Sequence, residues 1–385
     1  MRFVRVPESC LAWVEVDLSA IRHNFCELRR LAGARSRSKV HAEPELLSVV
    51  KADAYGHGML QVAAAIERSG GRFFVVSNAI EGGMLRTAGN RHRIMVLEAA
   101  LPAQARELFR HELVPALSSL ALARELDRLA RRAGRRFPIH IKVDTGMGRM
   151  GVWHAQVPDF VQALGALPNL EIEGLLTHFP LADSDRQYTR EQICLFSALA
   201  DRLRHSGVAL RYLHAANSMG LGGYDNVSFN LARPGLMLYG LYPCASLRRR
   251  IELKPAMALK ARILLLKTIH KGRGVSYGHT FHAARDIRAA VLPVGYSDGY
   301  LRALSGKSRV LVNGVYCPVL GRVTMDQIVV DVSRAGQVCA GDEAVLLGHQ
   351  KNREISADEL AAKAGTISYE IVCSLGNRLP RFYIG

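Results

Sequence analysis

The sequence predicts an α/β fold, an N-terminal (β/α)8 TIM barrel followed by a C-terminal domain of mostly β-strands. Three observations carry this. Between residues 17 and 240, eight short apolar runs alternate with helix-like segments. The runs are nearly continuous in apolar residues, as strands buried on both faces should be. After residue 250 the helix-like segments give way to strand-like runs with a hairpin signal.

The eight runs are "LLSVVK" (46–51), "FFVVSN" (73–78), "RIMVLEA" (93–99), "LVPALSS" (113–119), "PIHIKVD" (138–144), "IEGLLTH" (172–178), "YLHAANS" (212–218) and "RPGLMLYG" (233–240). Between them lie "GMLQVAAAIERSG", "PAQARELFRHE", "ALARELDRLARRAG", "HAQVPDFVQALGALP" and "RQYTREQICLFSALADRLRHSG". Their apolar residues recur mostly every three or four positions, the helical period. Several end in glycine, which suits a helix C-cap. Eight such units in this length match a barrel. A doubly wound sheet is the alternative, without a Gly-rich dinucleotide loop to support it.

In the second part, "MALKARILLLKTI", "AAVLPVGYSDGY", "SRVLVNGVYCPVLG" and "DQIVVDVS" read as strands. "VNGV" is a hairpin turn. "SADELAAKAG" (356–365) is one short helix with a Ser cap and an acidic first turn. The domains are therefore expected at 12–248, the barrel, and 249–385, the β domain. The early strand "AWVEVDL" (12–18) fits either, so residues 1–18 could join the second.

Composition excludes several classes. The longest apolar runs are too short to span a membrane. Charges interrupt the N-terminal "MRFVRVPESCLAWVEVDLSAIRHNF", which is unlike a signal peptide and points to a cytoplasmic protein. Seven scattered cysteines without a CxxC pair argue for a reducing compartment and against structural zinc. The net charge is +17, but the basic residues are dispersed in short groups such as "RRAGRR" and "RRR". No nucleic-acid-binding motif accompanies them.

A barrel carries its chemistry at the C-terminal ends of its strands. Lys51 closes the first run; Asp144 closes the fifth, before "TGMGRMG"; Thr177 and His178 close the sixth; Asn217 and Ser218 close the seventh; Arg233 and Gly235 open the eighth. One polar residue at a strand end is an ordinary transition to a loop. Lys, His, Asn-Ser and Arg on several strand ends together point to a site. A lysine there either snorkels to water or, desolvated near other cations, serves as a Schiff-base amine. Ser218 with the backbone at Gly235 and Leu236 falls at the usual phosphate pocket of a barrel. Schiff-base lysine plus phosphate cradle suggests pyridoxal 5'-phosphate, with a lysine-type phosphosugar aldolase as the rival reading.

"VVKADAYGHG" resembles the cofactor-lysine signature of the bacterial alanine racemases, PLP enzymes of fold-type III. The likeness covers essentially the whole chain. "KVDTGMGRMG", "THF", "NS", "RPGLMLYG", "GVSYGHTF", "VGYSDGYLR", "GRVTMDQ" and "TISYEIVCSLGNRLPR" follow in the family's order. The resemblance implies an isomerase that interconverts L-alanine and D-alanine and supplies D-alanine for peptidoglycan. It implies a homodimer with shared active sites, and neither nucleic acid nor membrane as partner. Lys51 would carry the cofactor and act as one catalytic base. Tyr277, from the partner subunit, would be the other. Tyr55, Ser218, Gly235, Leu236 and Tyr369 would surround the phosphate, next to Asn217. His178 would lie against the pyridine ring, and Arg233 would hydrogen-bond its nitrogen. Arg149 would contact the cofactor's phenolic oxygen and the substrate carboxylate, with Met325 nearby. Lys142 matches a lysine that is often carbamylated. Asp183, Tyr296, Arg302, Arg322 and Asp326 would stand around the substrate entrance.

Racemisation needs a base on each face of the α-carbon, which two residues such as Lys51 and Tyr277 supply. An arginine facing the pyridine nitrogen is a donor that does not readily release a proton. It would keep that nitrogen unprotonated and limit transamination. The chain departs from its relatives in places. Asp53 replaces a common asparagine and Thr324 a common cysteine. "SMGLGGYDNVSFN" (218–230), read as a glycine-rich loop, and "KVHAEPELL" (39–47) are unlike the usual segments. These leave open a broader racemase that also accepts serine. A PLP decarboxylase of the same plan is opposed by Arg233 and the "SYG" tyrosine. A non-enzymatic PLP-binding protein would lack the β domain that carries Tyr277.

Overall fold

The computed structural model describes residues 6–35, 45–225 and 229–385. Two compact units are present. One comprises Met1–Ile21, Tyr55–Gln61 and Lys254–Gly385; the other comprises Arg22–Ala54 and Val62–Leu253.

The second of these is an α/β barrel. Its strands run in the order Leu231–Ala232, Glu45–Val49, Phe73–Val76, Arg93–Val96, Leu113–Leu117, Phe137–Asp144, Leu170–Leu176 and Tyr212–His214. All these pairings are parallel. Phe73–Val76 and Leu113–Leu117 are buried throughout, because helices cover one face and the barrel core the other. The last and first strands are stitched by Asn230 and Arg233. Asn230 Oδ1 accepts from the Leu213 N–H at 2.8 Å, and the Arg233 N–H donates to the Ala216 carbonyl at 2.9 Å.

The helices start where short polar side chains take over orphan N–H groups. Ser119 caps Leu120–Arg132, Asp185 caps Arg186–His205, and Asn78 caps Ala79–Thr87. The last of these forms despite Gly82 and Gly83. A Cβ at Gly82 would fall 2.6 Å from Leu113 Cδ1, so close packing on the strand requires its absence.

Three expectations need correction. "RPGLMLYG" is not the eighth strand. That strand is Leu231–Ala232, and Leu236–Tyr239 winds into a 3-10 turn. Pro234 removes one ladder donor, and Gly240 ends the turn at φ 81°. Lys51 does not close its strand, which stops at Val49. In "SMGLGG" the residues Ser218–Gly223 form a short helix rather than a loop, because Asn217 caps it by accepting from the Gly220 N–H. Residues 226–228 of that segment, and 39–44 of "KVHAEPELL", lie outside the described residues.

The other unit is built on a β-sheet. Ala12–Asp17 pairs antiparallel with Met257–Arg262 and parallel with Arg381–Ile384. The hairpin Arg309–Val312 and Val315–Leu320 turns at Asn313 and Gly314, with φ 51° and 76°. Both angles are what a two-residue type I′ turn demands. The helix Ala357–Ala364 starts at Ser356, which accepts from the Glu359 N–H, and ends at left-handed Gly365. A further helix, Ser368–Ser374, carries Tyr369. Among the described residues, no helix is long and apolar enough to cross a membrane.

Candidate functional site

The Lys51 segment has unusual backbone geometry. Ala52, Asp53, Ala54 and Tyr55 all lie in the left-handed region, with φ of 52°, 52°, 54° and 54°. For L-residues this costs roughly 1–2 kcal/mol each. Among the bonds that hold the turn are two from its backbone. The Ala54 N–H donates to the Val50 carbonyl at 2.8 Å, and the Ala52 N–H donates to Glu81 Oε1 at 2.8 Å. Glu81 also accepts from the Ser77 N–H through its other oxygen at 2.7 Å. One carboxylate thereby ties two neighbouring strand ends and presents Lys51 at the barrel's C-terminal end.

Arg233 is buried at another strand end, and its guanidinium is nearly saturated. Nη1 donates to His214 Nδ1 at 2.8 Å and to the His214 carbonyl at 2.9 Å. Nη2 donates to the carbonyls of Thr177 at 2.6 Å and Ala215 at 2.9 Å. His178 Nδ1 lies 3.4 Å from Nη2. Among the described residues, Nε–H alone has no protein acceptor. Burial brings Arg233 down to about 9.

Around it gathers a group of cations. Lys142 is buried, and desolvation with Arg233, Arg149 and Lys51 brings its amine down to about 7; Asp144 opposes this. His178 is held neutral, well below the ordinary range, by burial and by the same cations. Arg149 is exposed on a loop that Asp144 organises. The Asp144 carboxylate accepts from the Gly146 N–H at 2.9 Å and the Gly148 N–H at 3.1 Å.

Ser218 Oγ accepts from the backbone N–H of Gly235 at 3.0 Å and of Met237 at 3.4 Å. It ties the start of one short helix to the turn that holds Leu236. Asn217 stands beside it as that helix's cap. Asp183 is exposed, next to Ser184.

The β-rich unit holds the remaining expected residues. Tyr55 and Tyr369 are ring neighbours, 6.0 Å between centroids. Burial comes first among the causes that push the Tyr55 phenol up. Tyr277 is 73% exposed. It follows Ser276, whose backbone is strained at φ 62°, ψ −174° and pinned by its Oγ donating to the Arg322 carbonyl at 2.7 Å. Tyr296 and Met325 are also exposed, on adjoining loops. The Tyr296 N–H donates to the Thr324 carbonyl, and the Ser297 N–H to that of Met325, both at 3.0 Å. Gly295 is required there, since a Cβ would sit 2.2 Å from the Met325 carbonyl oxygen. Asp326 accepts from Arg378 Nη1 at 2.9 Å, and Arg302 is exposed.

Lys51, Lys142, His178 and Arg233 are thus electrostatic neighbours in the barrel unit. Tyr277, Arg322, Tyr296, Met325 and Asp326 belong to the β-rich unit. Sequence reasoning missed Glu81, His140, Glu173 and His214. The two histidines had a signal: each interrupts an apolar run, in "IHIK" and "YLHA".

These residues fit pyridoxal 5'-phosphate. The open Arg233 Nε–H suits an acceptor nitrogen. Three cations against one carboxylate around Lys142 favour an anionic occupant. A lysine on a held turn and a Ser–backbone cradle complete the donor set.

Comparison with known proteins supports the same group. The model for "Alanine racemase, N-terminal domain" matches residues 16–243, and that for "Alanine racemase, C-terminal domain" matches 256–383. The alanine racemase of Halothermothrix orenii is 42% identical over 372 residues, 96% of each chain. That of Symbiobacterium thermophilum is 42% identical over 97% of each chain. Among solved structures, alanine racemase from D-cycloserine producing Streptomyces lavendulae superposes with a TM-score of 0.91 at 36% identity. That match covers 99% of this chain and 98% of the other.

Proposed function

We propose roles for individual residues from the premise that this chain belongs to the alanine racemase family. The protein is a PLP-dependent isomerase that interconverts L- and D-alanine and supplies D-alanine for peptidoglycan. The observation that carries the assignment of roles is the Arg233 guanidinium, saturated at both Nη atoms and open at Nε.

Lys51 holds the cofactor. Ser218, Gly235 and Leu236 hold its phosphate, and family resemblance adds Tyr55 and Tyr369 to that task. Arg233 Nε–H faces the ring nitrogen and His178 the ring face. When bound, pyridoxal phosphate supplies the electron sink that makes the hydrogen on the amino-bearing carbon acidic. The Lys51 amine takes or returns that hydrogen on one face, and the Tyr277 phenol does so on the other. Arg149 and Met325 orient the substrate carboxylate. Asp183, Tyr296, Arg302, Arg322 and Asp326 line the approach.

Tyr277 acts in the partner's site of a homodimer, which accounts for its exposure in one chain. Lys142, whose amine is partly free near neutral pH, adds carbon dioxide to give a carbamate, releasing a proton and placing one negative charge beside Arg149. Carbamylation at fixed dissolved carbon dioxide therefore rises as the pH passes up through about 7. The protein works in the cytoplasm, on alanine in preference to serine.

The test is borohydride reduction of the purified holoenzyme followed by peptide mapping. Label on Lys51 supports the reading; label on another lysine overturns it. L-alanine and L-serine are then incubated separately in heavy water. Inversion with deuterium at the α-carbon is expected, fastest for alanine. Inversion without exchange would refute the two bases, and carbon dioxide release without inversion would mark a decarboxylase.

A further inference from the structure

A file of polar side chains runs through the barrel interior, where apolar layers are the usual filling. Arg93 Nη2 donates to Glu173 Oε2, and Arg211 Nη1 stands 3.8 Å from Glu173 Oε1. Glu173 Oε2 is 3.5 Å from His140 Nε2. His140 Nδ1 is 2.8 Å from His214 Nε2, and His214 Nδ1 is 2.8 Å from Arg233 Nη1. Glu173, His140, His214 and Arg233 are 4%, 0%, 0% and 3% exposed.

The proton order in this file follows from its two ends. Arg233 has only donors, so His214 Nδ1 must accept. The His214 proton is then on Nε2 and is donated to His140 Nδ1. The His140 proton is in turn on Nε2, facing the Glu173 carboxylate. Burial keeps both imidazoles neutral, as this order requires. Burial pushes the Glu173 carboxyl up, but the His140 ring at 3.5 Å and the charges of Arg93 and Arg211 outweigh it and hold the group below the ordinary carboxylate range.

The strands are shaped to admit this file. The pairing register between Phe137–Asp144 and Leu170–Leu176 shifts between Ile139 and His140. Opposite lies Gly174, where a Cβ would fall 2.5 Å from His140 Nδ1. The His140 ring stacks on Tyr212 at 5.7 Å and 20°. Replacing buried ionic groups by packed apolar ones is often neutral or stabilising, so stability alone does not explain them.

We propose that Glu173, His140 and His214 are positioning residues for the racemase reaction. They hold the Arg233 guanidinium in the one orientation that leaves Nε–H for the cofactor's ring nitrogen, and so suppress transfer of the amino group to the cofactor. The proposal rests on the assignment of Arg233 to that nitrogen. In the suppressed reaction the amino group of alanine passes to the cofactor. Water supplies the carbonyl oxygen, and pyruvate and the aminated cofactor result.

Two measurements test this on the full-length holoenzyme. The first is pyruvate formed per inversion in wild type, Glu173→Leu, Glu173→Gln and Arg233→Leu. Glu173→Leu should raise that ratio about tenfold, and Glu173→Gln, which keeps an acceptor oxygen facing His140, should recover part of the wild-type ratio. Should Glu173→Leu fail to fold, His140→Met against His140→Gln makes the same comparison, because glutamine preserves one acceptor and one donor. The second measurement is 15N NMR of histidine-labelled protein. It should show His140 and His214 neutral with the proton on Nε2. A wild-type ratio in Glu173→Leu or His140→Met, with a raised ratio in Arg233→Leu, would overturn the relay alone. So would a proton on Nδ1 of either ring. An unchanged ratio and an unchanged cofactor absorption band in Arg233→Leu would overturn the ring-nitrogen assignment and the relay with it.

Discussion

His214 Nδ1 accepts a hydrogen bond from Arg233 Nη1 at 2.8 Å, and the same Nη1 also donates to the His214 backbone carbonyl at 2.9 Å. One residue thus takes both hydrogens of one guanidinium nitrogen. Replacing it with His214→Leu keeps the carbonyl and removes the ring acceptor. An unsatisfied buried donor costs about 1–3 kcal/mol, and one on a charged group falls at the top of that range or above it. Urea unfolding should show a loss in that range, partly recovered in His214→Asn. Unchanged stability in His214→Leu would mean the arginine finds another acceptor.

Lys142 should burden the cofactor-free fold in a pH-dependent way. Its amine titrates near 7 when folded and at 10.5 when free. Between these values the unfolded chain holds the extra proton, so stability rises with pH. Below about 7 both states are protonated and the penalty is complete. Lys142→Met should therefore stabilise the apoprotein most at pH 6 and least near pH 10, as read from thermal midpoints in carbonate-free buffer. A gain independent of pH would show that the amine is not desolvated.

Sharing of sites between subunits can be read from hybrids. Lys51→Ala and Tyr277→Phe chains should each be inactive. After mixing and subunit exchange, about a quarter of wild-type activity should return at most, because half the chains form hybrids and each hybrid carries one intact site. No recovery with exchange verified by mass would place both residues in one chain's site.

The β-rich unit offers a stability test away from the chemistry. Ser356 Oγ accepts from the Glu359 N–H at 3.1 Å, and Glu359 also pairs with Arg309 and Lys363. Ser356→Ala should destabilise by about 1 kcal/mol with racemisation unchanged. Loss of racemisation at full stability would tie this helix to the site.

The barrel was legible because its strands are buried on both faces and write unbroken apolar runs such as "FFVV". The hairpin at Asn313–Gly314 was legible because only a few residue types accept φ > 0 twice in succession. The eighth strand was not, because closure is carried by the Asn230 side chain and the Arg233 backbone over a two-residue strand. Lys51, Arg233 and Ser218 could be picked out as polar groups at apolar boundaries. Glu81 could not. It lies inside a helix, and its role depends on reaching, besides the nearby Ser77 N–H, the N–H of Ala52, which is 29 residues away. Glu173 was hidden for a similar reason, since its partners come from other strands.

The turn Ala52–Tyr55 inverts the ordinary scale of substitution. Alanine is elsewhere the most helix-favouring residue; at 52 and 54 it sits in a backbone region of opposite hand. Glycine, which is indifferent to hand, is the residue such a turn would tolerate best, and asparagine or aspartate the next. Valine, isoleucine and threonine would be rejected most strongly. A substitution table drawn for a right-handed turn would therefore rank every residue between Lys51 and Gly56 in the wrong order.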